Sequence, residues 1–370
     1  MRRRIAVFAG VVQAIFLLGH WFLYETWVAL FVVRSVEAVA VLQAAMVIMA
    51  FSFVASTLLA FRYNNALVRA YYTLAAVWTG FFSFFLYAGC LCWVVMMPAL
   101  IIGWRVNSRM LAGALFGGAA AASIYGVVNA ALLRVKRIVA KLPNLPEGWR
   151  GRTAALVSDM HLGHVRGEEF LRDVVRTIMA ARPDIVFIAG DMYDGTAVDA
   201  ASEAQLLRGL TAPFGVYFIG GNHEGIRDRE TYFRAVADAG VRVLNNELVD
   251  VDGLQVVGVH YRESVDAAKF TAVLAGVGID RGRASVLVVH APNHLEVAEA
   301  AGISLQLNGH THGGQFWPYT GVVKRIYGVF AYGLQRFGGL QVYTSSGAGT
   351  WGPPVRVGTN PEVVVMRFDG

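Results

Sequence analysis

Hydrophobic positions follow two different rhythms along this chain. Up to about residue 133 they form long, nearly unbroken runs, and beyond about residue 151 they form short runs separated by amphipathic stretches. Four long runs, roughly 5–24, 36–61, 71–102 and 111–133, each supply the ~20 apolar residues that a helix needs to cross a hydrocarbon core. Glu25, Arg34 and Glu37 break the first two apart, although 27–33 is itself apolar. Pro143, Pro146 and Gly148 mark 141–151 as a linker. After it, 154–157, 185–189, 216–219, 286–289 and 303–307 read as buried strands. Between the first two, 168–181 places Leu171, Val174, Val175, Ile178 and Met179 on one helical face. Further helices are predicted over 202–210, 228–239 and 266–274. A hairpin is predicted over 249–259 around Asp252-Gly253, with strands over 340–344 and 362–368. Strand followed by helix, repeated, argues for a layered α/β domain over 152–370, behind an all-α transmembrane region over 1–140.

Charge sharpens this division. Residues 1–150 carry thirteen Lys or Arg and three Asp or Glu, whereas the remainder carries nineteen and twenty-three, so the net +6 is a sum of opposites. The basic residues sit between apolar segments rather than in a stripe interleaved with aromatics, so no nucleic-acid partner is expected. Arg2, Arg3, Arg4, Arg62, Arg69, Arg134, Lys136, Arg137 and Lys141 fall on one side of the four spans, against Arg34, Arg105 and Arg109 on the other. The positive-inside rule then puts the amino terminus and the polar half in the cytoplasm of a multi-pass protein of the cell (inner) membrane. The competing reading of Arg2–Arg4 and residues 5–19 as a signal peptide would change that topology. Cys90 and Cys92, two apart in an apolar run, read as small fillers of a membrane helix, and His20 as a packing residue.

The strands of the polar half share a feature that packing does not require, because each ends in side chains able to ligate a metal. Asp159 and His161 follow the first, Asp191 the second in Gly-Asp-Met-Tyr-Asp, and Asn222 and His223 the third in Gly-Asn-His-Glu. His290 closes the fourth, and His310 and His312 follow the fifth in Gly-His-Thr-His-Gly-Gly-Gln. The carboxyl ends of strands in an α/β sheet converge on one edge. Residues spread over 150 positions can therefore meet in one cleft. Carboxylate, imidazole and amide without thiolate suit Mn²⁺ first, and also Fe or Zn²⁺.

These motifs resemble the calcineurin-like metallophosphoesterase superfamily, and within it the bacterial membrane-associated phosphoesterases. The resemblance covers about 151–370 and leaves the apolar half outside. It implies a four-layer αββα sandwich holding two divalent metal ions, with phosphodiester, phosphomonoester or pyrophosphate bonds hydrolysed through a metal-bridging hydroxide. It implies that Asp159, His161 and His312 hold one ion, that Asn222, His290 and His310 hold the other, and that Asp191 bridges both. His223 would face the scissile phosphate as an acid or charge stabiliser, with Asp194 behind it.

The substrate is written more faintly. The stretch 316–337 is aromatic and basic, and Trp317, Lys324 and Arg325 within it predict a rim that meets membrane lipids and a lipid-linked phosphoester. His164, three residues after His161, is a further candidate for the cleft, with His260 and His294 behind it. The alternatives are a non-catalytic receptor or scaffold that keeps the metal site, a regulatory domain on a transporter, and a phosphatase or cyclic-nucleotide phosphodiesterase for soluble substrates.

Overall fold

The computed structural model describes residues 2–31, 35–226 and 228–370, with the side chains of residues 2–6 and 8 excepted. Arg34 of the predicted second flank lies outside the described residues, as do the side chains of Arg2, Arg3 and Arg4. The chain divides into two units, one of residues 1–128 with 352–355, the other of residues 129–351 with 356–370.

The first unit is helical. It contains α1 (Arg2–Phe31), α2 (Val36–Ala60), α3 (Ala66–Ile102) and α4 (Ser108–Ala131). Among the described residues these four are long and apolar enough to cross a membrane. Ser35 Oγ accepts from Ala38 N at the start of α2, and Asn65 Oδ1 accepts from Val68 N at the start of α3. Each satisfies a backbone donor that the first helical turn leaves open. Glu25 does not end the first helix as the sequence predicts: its carboxylate accepts from Trp21 Nε1 at 3.2 Å one turn back, and α1 runs on to Phe31. Phe16, Leu23, Phe82 and Phe116 pack together between helices, and buried His20 accepts from Trp78 Nε1 at 2.9 Å.

The second unit begins with β1 (Arg134–Lys141), β2 (Thr153–Val157), α5 (Glu168–Ala180), β3 (Ile185–Ala189), α6 (Ala200–Ala204) and β4 (Val216–Ile219). It continues through α7 (Arg229–Asp238), β5 (Arg242–Val243), the hairpin β6 (Glu247–Val251) and β7 (Leu254–Gly258), α8 (Tyr261–Ser264) and α9 (Ala267–Gly276). It ends with β8 (Ser285–Val288), α10 (Leu295–Ala301), β9 (Leu305–Asn308), α11 (Tyr319–Tyr327), β10 (Gly333–Phe337), β11 (Leu340–Thr344) and β12 (Glu362–Asp369). One sheet has the order β1-β12-β2-β3-β4-β5, the other β10-β11-β9-β8-β7-β6.

Alternation along the strands builds the layers. Leu156, Phe187 and Ile219 of the first sheet share a core with Val256, Val286 and Leu307 of the second. Their neighbours Val157, Val186 and Ile188 point the other way, onto Leu171, Val174 and Ile178 of α5 and Val236 of α7. Val257 and Leu287 likewise meet Phe270 of α9 and Leu295 and Ala298 of α10. Both faces of each sheet are covered, which is why these strands read as continuous apolar runs. The expected four-layer αββα sandwich is the architecture observed.

Three local readings change. Residues 134–140, placed in the membrane region by their apolar lead-in and charge, form with Lys141 of the expected linker an edge strand in parallel register with β12, from Arg134 opposite Glu362 to Lys141 opposite Asp369. Charged side chains suit a sheet edge, which must not invite further pairing. The region 202–210 is split between α6 and a 3-10 turn over Gln205–Gly209. The aromatic stretch 316–337 contains both α11 and β10, which the sequence reading leaves unassigned.

Candidate metal centre

Strands β2, β3 and β4 are mutually parallel, as are β7, β8 and β9, and their carboxyl ends deliver the predicted ligands to one place. The chain leaves the strands under strain. Asp159, His161, Asp191, His310 and His312 all have positive φ, between 49° and 71°. Asp and His tolerate this left-handed region better than most residues, yet each such residue costs about 1–3 kcal/mol. Backbone amides then fix the carboxylates. His310 N donates to both oxygens of Asp159 at 3.0 Å, and His223 N donates to Asp191 Oδ1 at 2.9 Å. Gly309 and Gly221 are required by close approach, since a Cβ would fall 2.3 Å from Asp159 Oδ2 and 2.2 Å from Asp191 Oδ1.

The donor atoms converge. His161 Nε2 lies 3.0 Å from His312 Nε2, and His312 Nε2 lies 3.6 Å from Asp159 Oδ1. His290 Nε2 is 3.1 Å from Asp191 Oδ2 and 3.9 Å from Asp159 Oδ1. His310 Nδ1 is 3.0 Å from Asn222 Oδ1 and 3.3 Å from His290 Nε2. Three groups of donors have the proximity a metal ion needs: Asp159, His161 and His312; His161, Asp191 and His223; Asp191, His290 and His310. Asp191 stands in two of them. Asp159, Asp191, His161, His290 and His312 are all buried.

Burial sets the protonation states. It pushes Asp159 up to about 6, partly opposed by the charge of His290. Burial also works against ionised Asp191, but the charge and hydrogen bond of His290, with His223 and His161, outweigh it and hold Asp191 well below the usual carboxylate range. His290 responds in kind: burial is overcome by Asp191 and Asp159, and its pKa rises to about 10. Burial and neighbouring cationic groups push His310 down to about 4, and push His161 and His312 further below the usual imidazole value. Neutral imidazoles are the ligating form. Ring nitrogens aimed at one another beside buried carboxylates fit divalent cations, which would satisfy donors that have too few protons to share.

His223 hangs at the edge of this cluster, its Nδ1 2.9 Å from the Asp194 carbonyl and its Nε2 3.9 Å from Asp191 Oδ2. The Asp194 side chain accepts from Thr196 N at 2.7 Å and Thr196 Oγ1 at 2.6 Å. His164 is buried, with Nδ1 3.0 Å from that same Thr196 hydroxyl, so it supports the turn carrying Asp194. Lys324 and Arg325 lie exposed on α11, whose Tyr327 ring stands edge-on to His310 at 6.4 Å.

Two important residues are absent from the sequence reading. Buried Glu224 accepts from Gly221 N at 2.7 Å, Met192 N at 2.8 Å, Asp191 N at 3.1 Å and Tyr193 N at 3.2 Å, joining the Asp191 turn to the Asn222–His223 turn. Fully buried Arg356 donates to the carbonyls of His312 at 3.2 Å, Ser346 at 2.6 Å and Gly349 at 2.7 Å. The signal for Glu224 was its place directly after Asn222-His223. Nothing local marks Arg356.

The family profile described as Calcineurin-like phosphoesterase matches residues 153–314. An uncharacterized metallophosphoesterase of Campylobacter jejuni is 31% identical over 255 residues, covering 67% of this chain and 67% of that protein. One from Aquifex aeolicus is 30% identical over 259 residues, covering 66% of this chain and 95% of its own length. A Danio rerio protein described as a transmembrane protein with metallophosphoesterase domain is 29% identical over 260 residues, covering 65% of this chain and 59% of that protein. The chain spans 58% of the length of two Helicobacter pylori relatives. This chain belongs to the calcineurin-like metallophosphoesterases.

Proposed function

We propose that the chain is a membrane-anchored phosphoester hydrolase that works with two divalent metal ions. The observation that carries this reading is the Asp191 carboxylate, common to two of the donor groups. In this assignment Asp159, His161 and His312 would hold one ion, Asn222, His290 and His310 the other, and Asp191 would serve both. Two bound cations would acidify a water and neutralise charge on the phosphoryl oxygens. As the ester bond breaks, His223 supplies a proton from Nε2 to the leaving oxygen. The Asp194 carbonyl supports that role by accepting from Nδ1–H, so that an imidazolium donating from Nε2 returns to a neutral ring with its proton on Nδ1. The nine-to-three excess of cations on one side of the spans supports a cytoplasmic catalytic domain. The experiment is hydrolysis by the purified chain after chelation, with and without added Mn²⁺. The substrates are bis-p-nitrophenyl phosphate, p-nitrophenyl phosphate and a glycolipid pyrophosphate. Turnover should return with the metal. Two bound metals per chain without turnover of any of the three would count against catalysis.

The same reading extends to a lipid-linked substrate. On α11, Tyr319, Val322, Val323 and Ile326 fall on one helical face, and Tyr319, Val322 and Ile326 are exposed, as are Trp317 and Val329 beside the helix. An apolar face flanked by Lys324 and Arg325 suits an anionic lipid surface, where each cation contributes about 1 kcal/mol. Replacing Trp317, Lys324 and Arg325 by Ala, Gln and Gln should lower kcat/KM on a lipid phosphoester in anionic vesicles by about 10- to 30-fold. Hydrolysis of bis-p-nitrophenyl phosphate should stay within about twofold. Equal losses on both substrates would remove the lipid rim from the account.

A further inference from the structure

Beside the metal centre lies a cavity of 290 Å³ that the chemistry above leaves unused. Asn222 and Tyr261 form its wall towards the site, and the Tyr261 ring is 5.7 Å from that of His290 and 5.4 Å from that of His310. Arg229 and Arg262 also line it, and among the described residues none of its lining is acidic. Arg262 is exposed. Arg229 is held over the Phe233 ring at 5.5 Å, and its carboxylate neighbour Glu230, 3.8 Å away, is largely in solvent. Such an exposed ion pair leaves most of the cation's field available.

His260, also lining the cavity, adds an independent observation. Gly220 N donates to its Nδ1 at 3.0 Å, which leaves the ring proton on Nε2. That Nε2 is buried and has no hydrogen-bond partner among the described residues. Burial, helped by the charge of Arg229, pushes His260 down to about 4, so the ring is neutral near pH 7 and Nε2–H is a fixed donor. A buried donor without an acceptor is costly, and it keeps this wall of the cavity free of negative charge.

We propose that this cavity binds a second phosphate group of the substrate, carried beside the scissile phosphoester and recognised by Arg229 and Arg262. The proposal rests on the phosphoester hydrolase reading and narrows it to substrates with two phosphate groups. Two substrates with the same scissile bond test it with the full chain: thymidine 5′-(p-nitrophenyl phosphate) and its 3′-phosphorylated counterpart. Charge-assisted contacts to two arginines should give the phosphorylated substrate a KM lower by about tenfold or more. The double variant Arg229→Gln/Arg262→Gln should erase that preference, while kcat and the KM of the plain substrate change by less than about twofold. Equal KM values in the parent, or equal shifts for both substrates in the variant, would overturn the proposal. If the parent turns over neither substrate, the hydrolase reading fails by itself. Calorimetric binding of the same two molecules, with EDTA present, then decides the cavity. Tighter binding of the phosphorylated molecule that the double variant abolishes supports it, and equal binding overturns it.

Discussion

Asp191→Ala is expected to reduce metal-restored hydrolysis of bis-p-nitrophenyl phosphate by about a thousandfold or more, equivalent to about 4 kcal/mol of barrier. The carboxylate lies 3.1 Å from His290 Nε2 and 3.9 Å from both His161 Nε2 and His223 Nε2, so it reaches residues of both proposed ion sites. Its Oδ1 also accepts from His223 N, which ties the turn of the proposed proton donor to the same residue. Asp191→Asn separates the two contributions, because the amide oxygen can keep that backbone hydrogen bond while the negative charge is lost. If the charge between two cations matters most, Asn should be nearly as inactive as Ala. Bound metal should fall from two ions per chain to one or none in either variant. An Asp191→Ala protein that keeps two metals and a tenth of the parent activity would sink the bridging assignment.

The cluster of candidate ligands was legible because chemistry and topology coincide there. Each predicted ligand follows an apolar run that becomes a strand, and the strands end at one edge, so order along the chain sufficed to collect Asp159, Asp191, His290 and His312. The sequence was less informative wherever a residue's partner is backbone. Glu224 and Arg356 are charged residues of a kind that normally faces solvent. Their burial is compensated by backbone amides and carbonyls, some close in sequence and some from other turns, and no side-chain pattern records those. For His164, the short spacing from His161 gives no sign of the Thr196 hydroxyl 3.0 Å from its Nδ1. β1 was hidden by charge: a flank of basic residues after an apolar helix reads as a membrane boundary, although an edge strand wants the same composition.

Glu224→Ala should have the second largest effect, through positioning rather than chemistry. The change would leave the amides of Gly221, Asp191, Met192 and Tyr193 without their acceptor inside a closed part of the fold. Each unsatisfied donor costs about 1–3 kcal/mol, and water entering the vacated space recovers part of that, so a net loss of about 3 kcal/mol is expected. For a unit of this size that corresponds to a fall of roughly 10 °C in melting temperature. Metal affinity and activity should each drop by about 10- to 100-fold, the usual consequence of freeing the groups that hold metal ligands in place. Glu224→Gln resolves the cause. Oε1 now accepts from Met192 N and Tyr193 N, and Oε2 from Gly221 N and Asp191 N. An amide can serve only one of those pairs and points N–H groups at the other. Burial and the nearby charge of Asp191 push the Glu224 pKa up, opposed by the backbone amides that donate to it. Gln should therefore lie between parent and Ala in metal affinity, measured by competition with a chelating dye. A Gln variant indistinguishable from the parent would show that half the clamp suffices. One as impaired as Ala would shift the role to the pair of bonds made by Oε2, which alone joins Gly221 to the Asp191 turn.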